Sequence, residues 1–309
     1  MRLASIRHPA GTALAGQADG GFADLSAALD VPLPDLDTLC AVLPDQPGWR
    51  ARLARAGARP PRWAAGEVQV LAPVRRPSKI ICIGLNYLDH CRETGTPVPA
   101  APVVFAKFPS AIAGPGDPID LHPTVTKQVD WEVELAAVVA QRCGPGSPPT
   151  ADALLGYTIA NDVSARDLQR SDGQWTRAKS LDTFCPLGPV LVTPDEIGDP
   201  QALSLGLTVN GEDQQRSTTS EMIFPVADLI QRLAAEMTLL PGDLVLTGTP
   251  HGTGGFQQPP RFLAPGDAVA AWIEGIGTLS NTAPGPAGPT KPPTQQEFAN
   301  PALRTPNHY

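Results

Sequence analysis

Glu132 and Glu134 stand one residue apart inside the apolar run VDWEVELAAVV (129–139). Side chains alternate faces along a strand, so both glutamates point the same way as Asp130, while Trp131, Val133 and Leu135 point the other. Two carboxylates on one face of a half-buried strand repel each other and lose hydration. Either the strand lies at an edge with its glutamates in water, or a cation compensates them, and a divalent metal does so most compactly. Asp162, in GYTIANDVSARD, directly follows an apolar strand and offers a third oxygen ligand; its competing role is a helix N-cap. Two glutamates and an aspartate, with no histidine or cysteine nearby in sequence, form a hard oxygen site. Such a site suits Mg²⁺ or Mn²⁺, with Ca²⁺ also admissible, rather than zinc. Three carboxylates leave coordination positions for water and substrate oxygens.

The second group of candidates surrounds this set. In LNYLDHCRETG, His90 and Glu93 are three apart and share a face if residues 88–94 form a helical turn. A carboxylate that holds one imidazole nitrogen leaves the other as a base. Arg166 and Gln169, three apart on a short helix after Asp162, direct one face toward the carboxylates, and Lys179 and Lys107 supply further cations for an anionic substrate. GDLVLTGTPHGTGG is a strand running into a glycine-rich loop without a Walker A lysine, which excludes nucleotide binding; it brings Thr249 and the loop backbone close to a small polar substrate. His251, in the same loop, is a rival base.

The elements that must position these groups are mostly short strands. KIICIGLNY (79–87), PVVFAKF (102–108), the 129–139 run, PLGPVLVT (186–193), LSLGLTVNG (203–211), DLVLTGT (243–249) and AVAAWIEGIGTL (268–279) all read as strands, and Asn210-Gly211 as a tight hairpin turn. Helical period appears in GWRARLARAGARPPRW, SARDLQRS (164–171) and SEMIFPVADLIQRLAAEMTL (220–239), with Pro225 in the first turn. The class is strand-rich α+β, without the regular alternation of a doubly wound sheet. Residues 1–70, with a short strand at Leu3–Ile6, form a small N-terminal α/β domain; 71–283 form the catalytic body; 284–309 form a proline-rich tail.

Composition bounds the partners. A net charge of −8 without a lysine or arginine block excludes nucleic acid and an anionic membrane surface. No secretory h-region opens the chain and no eighteen consecutive residues are apolar, so a soluble, cytoplasmic protein is expected. Five widely spaced cysteines, without a C-x-x-C pair, read as reduced thiols mostly in the core.

Over about residues 70–283 the chain resembles the fumarylacetoacetate hydrolase family, in its FAHD2-like and 2-keto-4-pentenoate hydratase-like branch. The resemblance rests on the order and spacing of KIICIGLNYLDHCRETG, VDWEVELAAVV, GYTIANDVSARDLQ, GQWTRAKSLDTFCPLGP, SEMIFPVADLI, LPGDLVLTGTP and PPRFLAPGD. It implies a mixed, rolled β-sheet, a homodimer, and Mg²⁺ or Mn²⁺ held by Glu132, Glu134 and Asp162. It also implies that His90 and Glu93 activate water, that Lys179 stabilises enolate charge, and that Arg166 and Gln169 contact substrate. The expected reaction is hydrolysis of a C–C bond in a 2,4-dioxo acid of the acylpyruvate type through a metal-bound enolate. Decarboxylation of a β-keto acid such as oxaloacetate, tautomerisation or hydration of an unsaturated 2-keto acid, and a non-catalytic metal-binding homologue are the alternatives.

Overall fold

A computed structural model describes residues 1–150 and 152–285, so the proline-rich tail falls, from 286 onward, outside the described residues. A twelve-stranded mixed sheet organises the chain. Its strands run in the order Trp63–Ala64, Gly21–Asp24, Gly11–Ala18, Arg2–His8, Cys185–Val192, Leu154–Asn161, Val133–Val139, Leu244–Leu246, Ile80–Gly84, Val103–Lys107, with Gln69–Val70 and Ile112–Ala113 attached off this path. Leu244–Leu246 and Ile80–Gly84 are parallel; both neighbours of Val133–Val139 are antiparallel to it. A second, antiparallel sheet of four strands is built from Glu212–Thr218, Ser204–Val209, Ala268–Ile273 and Gly277–Thr282. The strand-rich α+β class expected from sequence is the class adopted.

Val133–Val139 is an interior strand, paired on both sides and buried at every position. That rules out an edge strand with glutamates in water, and it corrects the half-buried expectation. Period two still sorts the side chains. Trp131, Val133, Leu135, Ala137 and Val139 enter one core with Leu205, Leu207, Leu229 and Leu233; Ala136, Val138 and Ala140 enter the other with Leu36, Leu39 and Leu53. Each large apolar side chain so buried stabilises the fold by about 1.5–3 kcal/mol.

Three expectations are corrected. The 129–139 run is interrupted at Trp131 and Glu132, because Asp130 Oδ1 accepts from Trp131 N–H and Asn161 Oδ1 from Glu132 N–H, replacing ladder bonds. Val129–Asp130 instead pairs with Ser164–Ala165. The 268–279 run is a hairpin, turning at Gly275 with φ +75°. The N-terminal strand is longer, Arg2–His8, and two further strands follow it, hidden by alanine and glycine, which have weak strand preference; pairing of Arg2–His8 with Cys185–Val192 carries the large sheet into this region.

Helices form at Trp49–Gly57, Leu88–Thr94, Arg166–Asp172 and Val226–Glu236, the last with Pro225 at its N-cap rather than in its first turn. Asn210 and Gly211, at φ +55° and +80°, make the tight turn their types favour. The five cysteines are free and buried. Among the described residues, no helix is long and apolar enough to cross a bilayer.

Candidate active site and metal centre

The sheet brings distant segments to one place. Val133 faces Asn161 across the antiparallel ladder, so the start of one strand and the end of its neighbour lie side by side, and Asp162 N–H donates to Glu132 O at 2.8 Å. Leu244–Leu246, on the other flank, delivers Thr247 to Leu135 O and Gly248 N–H to Glu134 Oε2 at 2.8 Å. Ile80–Gly84, parallel to that strand, ends where helix Leu88–Thr94 begins. Asn86 braces this junction: its amide donates to Phe224 O and Thr247 O and accepts from Phe224 N–H.

Oxygens of Glu132, Glu134 and Asp162 lie within 4.8 Å of one another in a buried cluster. Asp162 is no helix cap. Its carboxylate receives Lys107 Nζ at 2.6 Å and Lys179 Nζ at 2.7 Å, and the N-cap of the following helix is Ala165. Glu132 receives Lys179 at 2.5 Å and Arg166 at 2.5 Å. Burial opposes ionisation of Glu132, yet Arg166 and Lys179 outweigh it and hold the carboxyl at about 2. Glu134 goes the other way: burial, then the Asp162 and Glu132 charges, push its carboxyl well above the ordinary value. Gly248 N–H is its one hydrogen-bond donor among the described residues. Burial also works against the Lys179 ammonium, but Asp162 and Glu132 raise its pKa.

These residues fit a divalent cation. When all are ionised, Asp130, Glu132, Glu134 and Asp162 exceed Lys107, Arg166 and Lys179 by one negative charge in a buried space. Glu134, repelled by its neighbours and nearly free of donors, has the hard oxygens such an ion would take.

The cavity beside Glu132 and Glu134 has a volume of about 230 Å³ and is lined by these two and by His90, Arg166, Gln169, Lys179 and Thr249 among others, with Asp162 buried behind them. His90 Nδ1 lies 2.9 Å from Glu93 Oε2, and Gln169 Oε1 accepts from Arg166 at 2.9 Å. Two sequence candidates lie elsewhere. Lys107, expected to meet substrate, shares a strand face with Phe105 but is fully buried, its ammonium bound to Asp162 and Val163 O, and it does not line the cavity. His251 is exposed, its ring 3.1 Å from Arg216 O, and it does not line the cavity.

Residues 79–283 match the family described as fumarylacetoacetate (FAA) hydrolase, C-terminal. The chain belongs to the fumarylacetoacetate hydrolase family. Within that family it is 50% identical over 218 residues to the Bos taurus protein named oxaloacetate tautomerase FAHD2A, mitochondrial, spanning 70% of this chain and 69% of that one. Among solved structures it resembles 5-carboxymethyl-2-hydroxymuconate delta-isomerase from Mycobacterium smegmatis, with 39% identity, a TM-score of 0.71, and coverage of 93% of this chain and 100% of that one. It also resembles maleylpyruvate hydrolase from Sphingobium sp. SYK-6, solved with manganese(II) and pyruvate, at 28% identity and a TM-score of 0.75, covering 92% and 99% of the two chains.

Several groups in this family member escaped the sequence reading. Asp130, grouped there with the glutamates, instead organises the glycine loop: Oδ1 accepts from Gly254 N–H at 2.7 Å, Oδ2 from Gly255 N–H at 2.8 Å and from Arg166 Nε at 2.7 Å. Thr94, Thr96, Phe105, Trp175 and Phe256 line the cavity, and only the aromatic or hydroxyl type of each hinted at a role. A Cβ at Gly254 would meet Arg261 O at 2.1 Å, the Trp131 ring at 2.8 Å and Asp130 Oδ1 at 2.9 Å. Gly254→Ala is therefore expected to push the loop off its anchor, destabilising the protein by about 1–3 kcal/mol and raising KM while divalent-metal affinity is kept. Thermal denaturation, steady-state kinetics and metal titration check the three parts.

Proposed function

We propose that this protein interconverts the enol and keto forms of a short 2-oxo dicarboxylic acid of the oxaloacetate type, using Mg²⁺ or Mn²⁺. The observation that carries the reading is the 50% identity over 218 residues with a protein named as an oxaloacetate tautomerase, joined to a cavity that sets His90 beside two cations, Arg166 and Lys179. A divalent ion held by Glu132, Glu134 and Asp162 supplies Lewis-acid polarisation of the substrate and orients its oxygens.

The chain's own residues do the rest. With Nδ1–H donated to Glu93, His90 keeps the Nε2 lone pair for the cavity. In the keto-to-enol direction Nε2 takes a proton from C3, the C–H electron pair becomes the C2–C3 double bond, and the carbonyl π pair moves, with its charge, onto the 2-oxo oxygen. That oxygen then takes a proton from water to give the enol while the imidazolium returns its proton to solvent. Lys179 offers an ammonium to that charge. Arg166, braced by Asp130 and Glu132 and capped by Gln169, is placed to hold a substrate carboxylate, and Thr249 adds a hydroxyl. In the reverse reaction the enol O–H gives its proton to solvent and His90, protonated from solvent, delivers one to C3.

A second reading is hydrolysis of an acylpyruvate, favoured by the same His90–Glu93 pair, which suits deprotonation of water, and by the likeness to maleylpyruvate hydrolase. The two separate in one assay. With oxaloacetate and Mg²⁺, enol absorbance should relax and C3 should exchange with deuterated solvent faster than in the same buffer without protein, and pyruvate should form no faster than in that buffer. Release of pyruvate and CO₂ faster than without protein would mark a decarboxylase, and cleavage confined to acylpyruvates a hydrolase.

A further inference from the structure

We propose that Phe256 sets which substrates enter, closing the cavity over His90 and Arg166 and limiting it to 2-oxo acids with a short chain beyond C2; the inference rests on the reading of the cavity as a 2-oxo acid site. Phe256 lines the cavity although it is 46% exposed, so one side of the ring faces the site and the other faces solvent. Its ring meets His90 edge-on with centroids 5.7 Å apart, and the Arg166 guanidinium lies 5.7 Å from its centroid. The same ring therefore touches the base and, through its negative face, the cation assigned to substrate.

An aromatic ring on a free loop would swing away from this position. Here two carboxylates hold the loop, and each also holds a site residue. Glu93 accepts from Gly252 N–H at 2.8 Å with one oxygen and pairs with His90 through the other. Asp130 accepts from Gly254 and Gly255 N–H while pairing with Arg166. The ring is thus registered to both groups that would flank a bound acid. Because a single methylene against such a wall alters discrimination by about 10–200-fold, a fixed ring at the mouth is well placed to reject longer chains.

The test measures binding of pyruvate, 2-oxobutyrate, 2-oxopentanoate and 2-oxohexanoate to the Mn²⁺-loaded full chain by calorimetry, without reference to turnover. Wild type should lose affinity with chain length. In Phe256→Ala the ratio of longest to shortest should shift by roughly tenfold or more toward the longest, with Mn²⁺ affinity unchanged, whereas Phe256→Tyr should keep the wild-type profile. Parallel length profiles in wild type and Phe256→Ala would overturn the role of Phe256 alone. Failure of wild type to bind any member would overturn the 2-oxo acid reading and this inference with it.

Discussion

Glu134→Gln is expected to weaken Mn²⁺ or Mg²⁺ binding by at least about 100-fold and to reduce turnover to the uncatalysed background, yet leave the metal-free protein as stable as wild type or more so. The glutamate is 1% exposed, accepts one N–H, and is repelled by Asp162 and Glu132. Glutamine keeps its shape, lets its carbonyl oxygen accept from Gly248, and removes the repelled charge. The pH dependence has a definite sign. Between about 4.5 and the raised folded value of Glu134, the native state binds more protons than the unfolded state. Its contribution is therefore fully present below 4.5 and is lost as pH rises through that window. Glu132, held at about 2, does the reverse: its contribution is present above 4.5 and is lost as pH falls toward 2. Melting temperatures of chelator-treated protein across pH should show the rising-pH loss in wild type and not in Glu134→Gln. An equal loss in both would remove Glu134 as its source.

His90→Ala is expected to lower kcat by about 10²–10⁴ without changing metal affinity, because the imidazole pairs with Glu93 and is not one of the clustered oxygen ligands. Glu93→Gln should cost less, since an amide can still orient the ring, but it should also loosen the loop that donates to this carboxylate through Gly252 N–H. Kinetics on oxaloacetate with a parallel Mn²⁺ titration separate the roles. Full activity in His90→Ala would take the dyad out of the mechanism under either reaction.

Local rules make much of this site legible in the amino-acid sequence. Strand alternation placed Glu132 and Glu134 on one side, a short helical turn placed His90 against Glu93, and Asn210-Gly211 marked its own turn, because each depends on backbone geometry within a few residues. The same locality explains what was missed. Whether a strand is central or at an edge depends on partners far along the chain, so the all-round burial of Val133–Val139 was decided only when Leu154–Asn161 and Leu244–Leu246 paired with it. Lys107 and Asp130 show the consequence for function. Each is a charged residue next to an apolar strand, and nothing in its neighbours distinguishes a substrate contact from a structural ion pair. Tertiary packing turned Lys107 behind Asp162 and used Asp130 to tie Arg166 to the glycine loop. Residue types and local spacing settle which donors and bases exist and which share a face. Only the folded sheet decided which of them meet, because burying a charge without a partner is too costly and the partners come from strands distant in the chain.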